Sequence, residues 1–286
     1  MQSIVALLTK SLYLDLETLR IGALSLPDRV SYICKKYVAL CTLAATGEAT
    51  FTFRTMSMAI RDFGELGTTQ ACVVDFYNDV VRPGVLAGAS PVVLDIGANV
   101  GQYCNAIKLF YPSAHVTSFE PDLSAFARLR TNTQHLPHVT LVNKGVGRAH
   151  AMLPFYMHEV SGMSSFQPYE DYRYDQAQTT SLEVDALDEL VDEEHIDLMK
   201  IDVEGFETEV IEGAMRTIGR SEYVLVELSL KRSPYAGSNL DLIDAIRRAA
   251  PGAKIVKFGR PLGSKATPAC QDVLIKVGEL PRAEAT

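Results

Sequence analysis

Apolar positions repeat at helical spacing through the first 90 residues, where Leu7, Leu8, Leu12, Leu16 and Leu19 recur at short, mostly three- and four-residue steps. Pro27-Asp28 marks a break, Val30 to Leu43 reads as a second helix, Phe51 and Phe53 suggest a short extended piece, and Thr68 to Val81 returns to helix before Pro83-Gly84. From Pro91 the period changes. Short β-rich runs at 92–98, 115–120, 139–146, 197–202, 223–228, 254–258 and 272–277 alternate with helical stretches at 102–111, 122–135, 207–218 and 240–249. That alternation predicts an α/β fold with a largely parallel sheet covered on both faces, ending in an antiparallel hairpin. Residues 151–157 and 179–184 read as an antiparallel pair around a long tyrosine- and serine-rich insertion loop. The organisation expected is a helical annex and possible cofactor lid (1–90), a Rossmann-like domain (91–278) and a frayed tail (279–286).

The 286 residues carry 27 basic and 35 acidic side chains, a formal charge of −8, with 47% hydrophobic positions and a pI near 5.3. No block of basic residues offers the footprint that nucleic-acid binding requires, so nucleic acid is not an expected partner. Five scattered cysteines, with no CxxC pair, read as buried thiols in a reducing compartment. No signal peptide and no apolar run long enough for a membrane span are evident, and the expected location is cytoplasmic.

The first core strand ends in DIGANVG, Asp95 to Gly101, a turn that must let backbone come close to something. Gly97 clears a side chain from the approach path, Asn99 tolerates a left-handed conformation, and Gly101 allows close helix packing. The motif lacks both the GxGxxG pattern of a pyrophosphate cradle and a P-loop lysine. Glu120 closes the second strand, 23 residues after Gly97, where a carboxylate can accept both hydroxyls of an adenosine ribose. A nucleoside without a phosphate cradle, beside an aspartate that can meet an ammonium directly or through water, describes S-adenosylmethionine.

DIGANVGQY, SFEP (118–121) and MKIDVEGFE (199–207) together resemble the FkbM-type methyltransferases, class I S-adenosylmethionine enzymes that methylate hydroxyl groups. The resemblance covers about residues 92–230. It implies a seven-stranded sheet in the order 3-2-1-4-5-7-6, and a cofactor held by Asp95, Gly97, Ala98, Asn99, Gly101 and Glu120. Pro121 would then border the adenine, with Asn143 to Val146 near the base.

KIDVEG brings Lys200, Asp202 and Glu204 to the end of the fourth strand, and Glu227 ends the fifth. Methyl transfer needs acceptor oxygen, methyl carbon and sulfur in line, and a neutral alcohol gains from a base that takes its proton. Asp202 is the first candidate for that base, its competing role being a hydrogen bond to the cofactor's amine or to water. Asp202, Glu204 and Glu227 together could hold a divalent cation, but an acidic rim balanced by Lys200 and Lys231 is preferred.

His158 opens the insertion loop, which also carries Glu159, Ser161, Ser164, Ser165, Tyr169, Tyr172 and Tyr174. Its hydroxyls and rings suit a sugar or polyketide acceptor, a solvated loop of ordinary polar composition being the preferred reading. The acceptor expected of the whole is a hydroxyl of a saccharide or a glycosylated natural product. Phe76, Tyr77 and Asp79 are read either as a lid over the cofactor or as core, and the leucines of the first 20 residues as annex core or a homo-oligomer contact. Two alternatives stand beside O-methyl transfer: a noncatalytic S-adenosylmethionine sensor or scaffold, and an NAD-dependent oxidoreductase.

Overall fold

The computed structural model describes residues 4–158, 161–168, 178–229, 239–263 and 268–278. It divides into two units, one formed by residues up to Ser90 with Val100–Ala114 and Arg128–His138, the other by Pro91–Asn99, His115–Ala127 and the chain from Val139.

In the first unit, helices α1 (Ile4–Leu19) and α2 (Leu26–Thr46) precede a hairpin of β1 (Ala49–Phe53) and β2 (Met56–Ile60) and helix α3 (Phe63–Phe76). Pro27 lies in the first turn of α2, where its missing N–H costs nothing, and Ser25 caps that turn by accepting the Asp28 N–H. The extended piece at Phe51 and Phe53 is therefore one arm of a hairpin, whose inward residues pack edge-on against Tyr32 with ring centroids 4.9 and 5.1 Å apart.

Three leucines of the α1 stripe are not core: Leu12, Leu16 and Leu19 are exposed, while Leu14, Asp15 and Thr18 are buried. The buried face is partly ionic. Lys36 pairs with Asp15, and Gln70 donates to Asp15 and to Thr18 Oγ1, each at 2.9 Å. α4 (Gln102–Phe110) and the C-terminal half of α5 (Leu123–Thr133) complete the unit. Asn105 and Asn132 accept the Ser57 and Ala59 N–H groups, satisfying β2 donors on its free edge, and Arg128 grips Glu65 of α3 through two hydrogen bonds of 2.6 and 2.9 Å. Phe76 is core here, stacked edge-on against Tyr103 at 5.3 Å, and α3 runs on into a π-helical turn at Tyr77–Val81.

The second unit holds β3 (Val92–Ile96), β4 (His115–Phe119), β5 (Val139–Val142), β6 (Gly145–Gly147), β7 (Ala151–Met157), β8 (Gln178–Ala186), β9 (Ile196–Ile201), β10 (Ser221–Ser229), β11 (Lys254–Phe258), β12 (Leu262–Gly263) and β13 (Pro268–Lys276). Its helices are α6 (Leu187–Leu190), α7 (Glu207–Glu212), α8 (Met215–Gly219) and α9 (Asn239–Ala249). The main sheet runs β11-β13-β10-β9-β3-β4-β5, with β13 antiparallel to both neighbours, the other pairs parallel, and β12 attached to β13. It is a mixed α/β sheet, as the alternation of strand and helix runs predicts. Its centre is apolar: Leu94, Ile96, Met199, Ile201, Val224 and Val226 share one buried cluster with Val210, Ile211, Ile218 and Ile246.

Two expectations change. The run 139–146 is two strands, because after Val142 the chain leaves β4 and β6 joins β8 and β7 in a separate three-stranded sheet. The helix expected over 207–218 is broken at Gly213, where a methyl would sit 1.9 Å from the Gly147 carbonyl oxygen; the two backbones touch. The cysteines differ too, since only Cys104 is buried and Cys34 and Cys41 are exposed. Among the described residues no helix is long and apolar enough to cross a membrane.

Candidate active site

The turn after β3 docks on the end of β4, since the N–H groups of Gly97 and Ala98 both donate to the Phe119 carbonyl, at 3.1 and 2.9 Å. Gly97 and Asn99 are left-handed, with φ of 81° and 47°. The glycine is required for a reason the sequence did not disclose: a methyl on Gly97 would lie 1.8 Å from the Asp202 carbonyl oxygen, so the neighbouring strand's turn fills the space. At Gly101 a methyl would meet Leu129 and Thr133 at 2.9 and 3.1 Å, the close helix packing expected.

Glu120 is buried, with one carboxylate oxygen accepting the Asn99 N–H at 2.9 Å and the other the Asp122 N–H at 2.8 Å. Burial pushes its carboxyl up to about 7 although both N–H donors oppose the shift. Asn143 donates to the carbonyls of Glu120 and Pro121 at 2.8 and 3.1 Å, so Asn99, Glu120, Pro121 and Asn143 form one connected group. Ala98 contributes backbone only and is buried, and Val146 belongs to the hydrophobic core.

Asp95 and Lys200 face each other in register across β3 and β9. Lys200 Nζ lies 3.5 Å from Asp95 Oδ1 and 3.1 Å from Asp202 Oδ2, bridging the two carboxylates. Asp95 has no exposed surface; burial pushes its carboxyl up and Lys200 opposes that shift. Asp202, Glu204 and Glu227 each bring an oxygen to within 4.8 Å of the others. Burial, with the charges of Asp202 and Glu204, raises Glu227 well above the usual carboxylate range. Burial, with the charges of Glu227, Glu204 and Asp202, pushes the neighbouring Cys270 thiol far up. Lys231 and Tyr169 fall outside the described residues.

Beyond the hairpin arms, Ser164 Oγ accepts the His158 N–H at 2.9 Å, while Ser165 is buried and donates to the Glu204 carbonyl at 2.7 Å. Sequence reasoning gave Glu207 no role, yet its carboxylate accepts the N–H groups of Gly205 and Val203 at 3.0 and 3.3 Å, closing the acidic turn. Burial pushes it up to about 7. An acid in the first turn of a helix, just after a glycine, is the available signal. Cys270 had none, because β13 reaches Glu227 from more than 40 residues away in sequence.

The residues fit a nucleoside with a cationic tail. Asn99 Oδ1 is buried without a hydrogen-bond partner among the described residues, and each oxygen of Glu120 keeps a lone pair beyond the N–H it accepts. Residues 95–250 match the methyltransferase FkbM domain, more than half of the chain. The chain belongs to the FkbM methyltransferase family. A 2-O-methyltransferase, NoeI, of Sinorhizobium fredii is 26% identical over 191 residues, 61% of this chain and 77% of NoeI. The hexuronic acid methyltransferase AglP of Haloferax volcanii is 24% identical over 177 residues, 59% of this chain and 66% of AglP. Among solved structures, the N-methyltransferase NodS of Bradyrhizobium japonicum in complex with S-adenosylhomocysteine is similar at 13% identity and a TM-score of 0.44, over 70% of this chain and 84% of NodS. This FkbM protein is a methyltransferase and its methyl donor is S-adenosylmethionine, which sets aside the nicotinamide-dinucleotide alternative.

Proposed function

We propose that this FkbM methyltransferase methylates a hydroxyl group of a saccharide or of a glycosylated small molecule. The observation that carries the reading is the gathering of Asp202, Glu204 and Glu227 beside the glycine turn, with Asp202 held by Lys200. The relatives NoeI and AglP, named for 2-O- and hexuronic acid methylation, support the acceptor class.

Bound S-adenosylmethionine would supply an activated methyl group. Glu120 would accept the ribose hydroxyls, Asn99 would offer its unpartnered oxygen, and Pro121 and Asn143 would border the base. Asp202 is the carboxylate an acceptor can reach, its side chain 39% exposed, whereas Glu227 is more deeply set and biased toward its protonated form. Asp202 would take the proton of the acceptor hydroxyl as that oxygen is methylated, a role worth roughly 10²- to 10⁴-fold. Lys200 fixes the Asp202 rotamer, and Glu227 serves as a neutral hydrogen-bond donor to the acceptor.

The test is transfer of labelled methyl to a panel of neutral hexoses, hexuronic acids and their glycosides. Label should enter saccharide as an alkali-stable ether, and Asp202→Asn should lower kcat roughly 100-fold or more. Label appearing only on nitrogen, only as an alkali-labile ester, or nowhere in the panel would overturn the reading.

A further inference from the structure

The acidic turn after β9 is conformationally expensive. Glu204 and Gly205 are left-handed in succession, with φ of 55° and 97°, and a glutamate enters that region only when its surroundings hold it there. Glu207 holds the donors of the turn, through the N–H groups of Val203 and Gly205. Its acceptors are held by the insertion between β7 and β8.

Ser165 pairs with Tyr156 through both backbone groups, its N–H donating at 3.1 Å and its carbonyl accepting at 2.8 Å, which folds the segment back along β7. The buried Ser165 Oγ donates to the Glu204 carbonyl at 2.7 Å, with the Val203 carbonyl at 3.4 Å, and accepts the Gln167 N–H at 3.1 Å. A hydroxyl has one proton, so no donor remains for a substrate. Phe166 sits between Phe155 and Phe206, with centroids 4.9 and 5.2 Å away, and Phe206 directly follows the turn. Four residues earlier, a methyl on Gly162 would lie 3.1 Å from the Asn99 side-chain nitrogen. One short segment therefore touches both the glycine turn after β3 and the acidic turn after β9.

We propose that Ser165 is a positioning residue for methyl transfer: its hydroxyl locks Glu204 in the left-handed conformation that brings the three carboxylates together. The sheet delivers Asp202 and Glu227, and the hairpin tip sets Glu204. The inference rests on the reading of that trio as the reacting end.

The experiment compares the full-length parent with Ser165→Ala and with Ser165→Cys, which keeps the volume but donates weakly. S-adenosylhomocysteine affinity is measured by calorimetry, amide exchange is followed in peptides covering 201–207, and kcat and KM are taken with a saccharide that accepts methyl in the panel above. Both variants should bind S-adenosylhomocysteine as the parent does, exchange faster over 203–206, and lose about tenfold in kcat at unchanged KM for the donor. A folded Ser165→Ala with the parent's kcat and exchange overturns the proposal. So does a fall in kcat and affinity together that tracks lost thermal stability, or failure of both variants to fold, since either makes the residue merely structural. A panel without any methylated saccharide defeats the functional reading and this inference with it, whereas a parent that turns over beside an indifferent Ser165→Ala defeats the inference alone.

Discussion

Gly97 and Asp202 are in backbone contact: a β-carbon on the glycine would stand 1.8 Å from the aspartate's carbonyl oxygen. The turn that carries the cofactor motif and the strand end that carries the candidate base are thereby one mechanical unit. Gly97→Ala meets rigid backbone as well as an unfavourable φ, so it should cost several kcal/mol, on the order of 2–4, and abolish S-adenosylhomocysteine binding. Gly101→Ala has the same problem of φ, but its methyl meets the flexible ends of Leu129 and Thr133 and should cost less. Thermal unfolding and calorimetry on the two variants check the ranking; equal losses would contradict it.

Lys200 bridges Asp95 and Asp202, and Asp95 has no contact with solvent. Lys200→Met should therefore destabilise by about 3 kcal/mol, chiefly because it leaves a buried carboxylate without its cation. Adding Asp95→Asn should restore part of that loss. A double-mutant cycle by urea unfolding measures the coupling, and strict additivity would mean that the pair does not interact.

Glu120 titrates near 7 in the free protein. Ribose hydroxyls donate to the ionised form, so the affinity for S-adenosylhomocysteine should rise from about pH 6 to about pH 8 and then flatten. Glu120→Gln must turn an amide N–H toward the Asn99 or the Asp122 N–H, so it should weaken binding at least tenfold, or about 1.4 kcal/mol, and remove this pH dependence. Calorimetry across the range decides; a flat parent profile would count against the ribose role.

Glu207 affects stability with the opposite dependence. Its folded value of about 7 lies above the unfolded 4.5, so the protonated form favours folding. The stabilisation is complete below about pH 4.5 and lost as pH rises through about 7, an effect of about 3 kcal/mol for this buried group. Glu207→Gln still accepts the N–H groups of Val203 and Gly205, so it should flatten stability between about pH 5 and pH 8 relative to the parent. Urea unfolding at the two pH values gives the difference, to which Glu120 contributes equally in both proteins.

The glycine turn after β3 was legible because its signals are local: an apolar run on β3, then glycines and an asparagine where left-handed residues are needed. The acid trio was legible because β9 and β10 are consecutive parallel strands that end at one edge. Other features depend on partners remote in sequence. The split after Val142 is a change of neighbour from β4 to β8, and the polar pair Asn143-Lys144 marks the break without disclosing the new partner. The break at Gly213 comes from Gly147, and the reversal of α1 from the buried Lys36–Asp15 pair, which places polar residues where periodicity expects leucine. Ser165 was noticed as a hydroxyl, but its partner is a carbonyl 39 residues away.

The hairpin of β7 and β8 is paired in unbroken register from Ala151 with Val184 to Met157 with Gln178, and it shares no strand with the main sheet. Its arms can accordingly be extended by an even number of residues while every side chain keeps its face, whereas an odd extension turns each one over. The length of the hairpin is thus adjustable in steps of about 7 Å without disturbing a single ladder bond of the central scaffold.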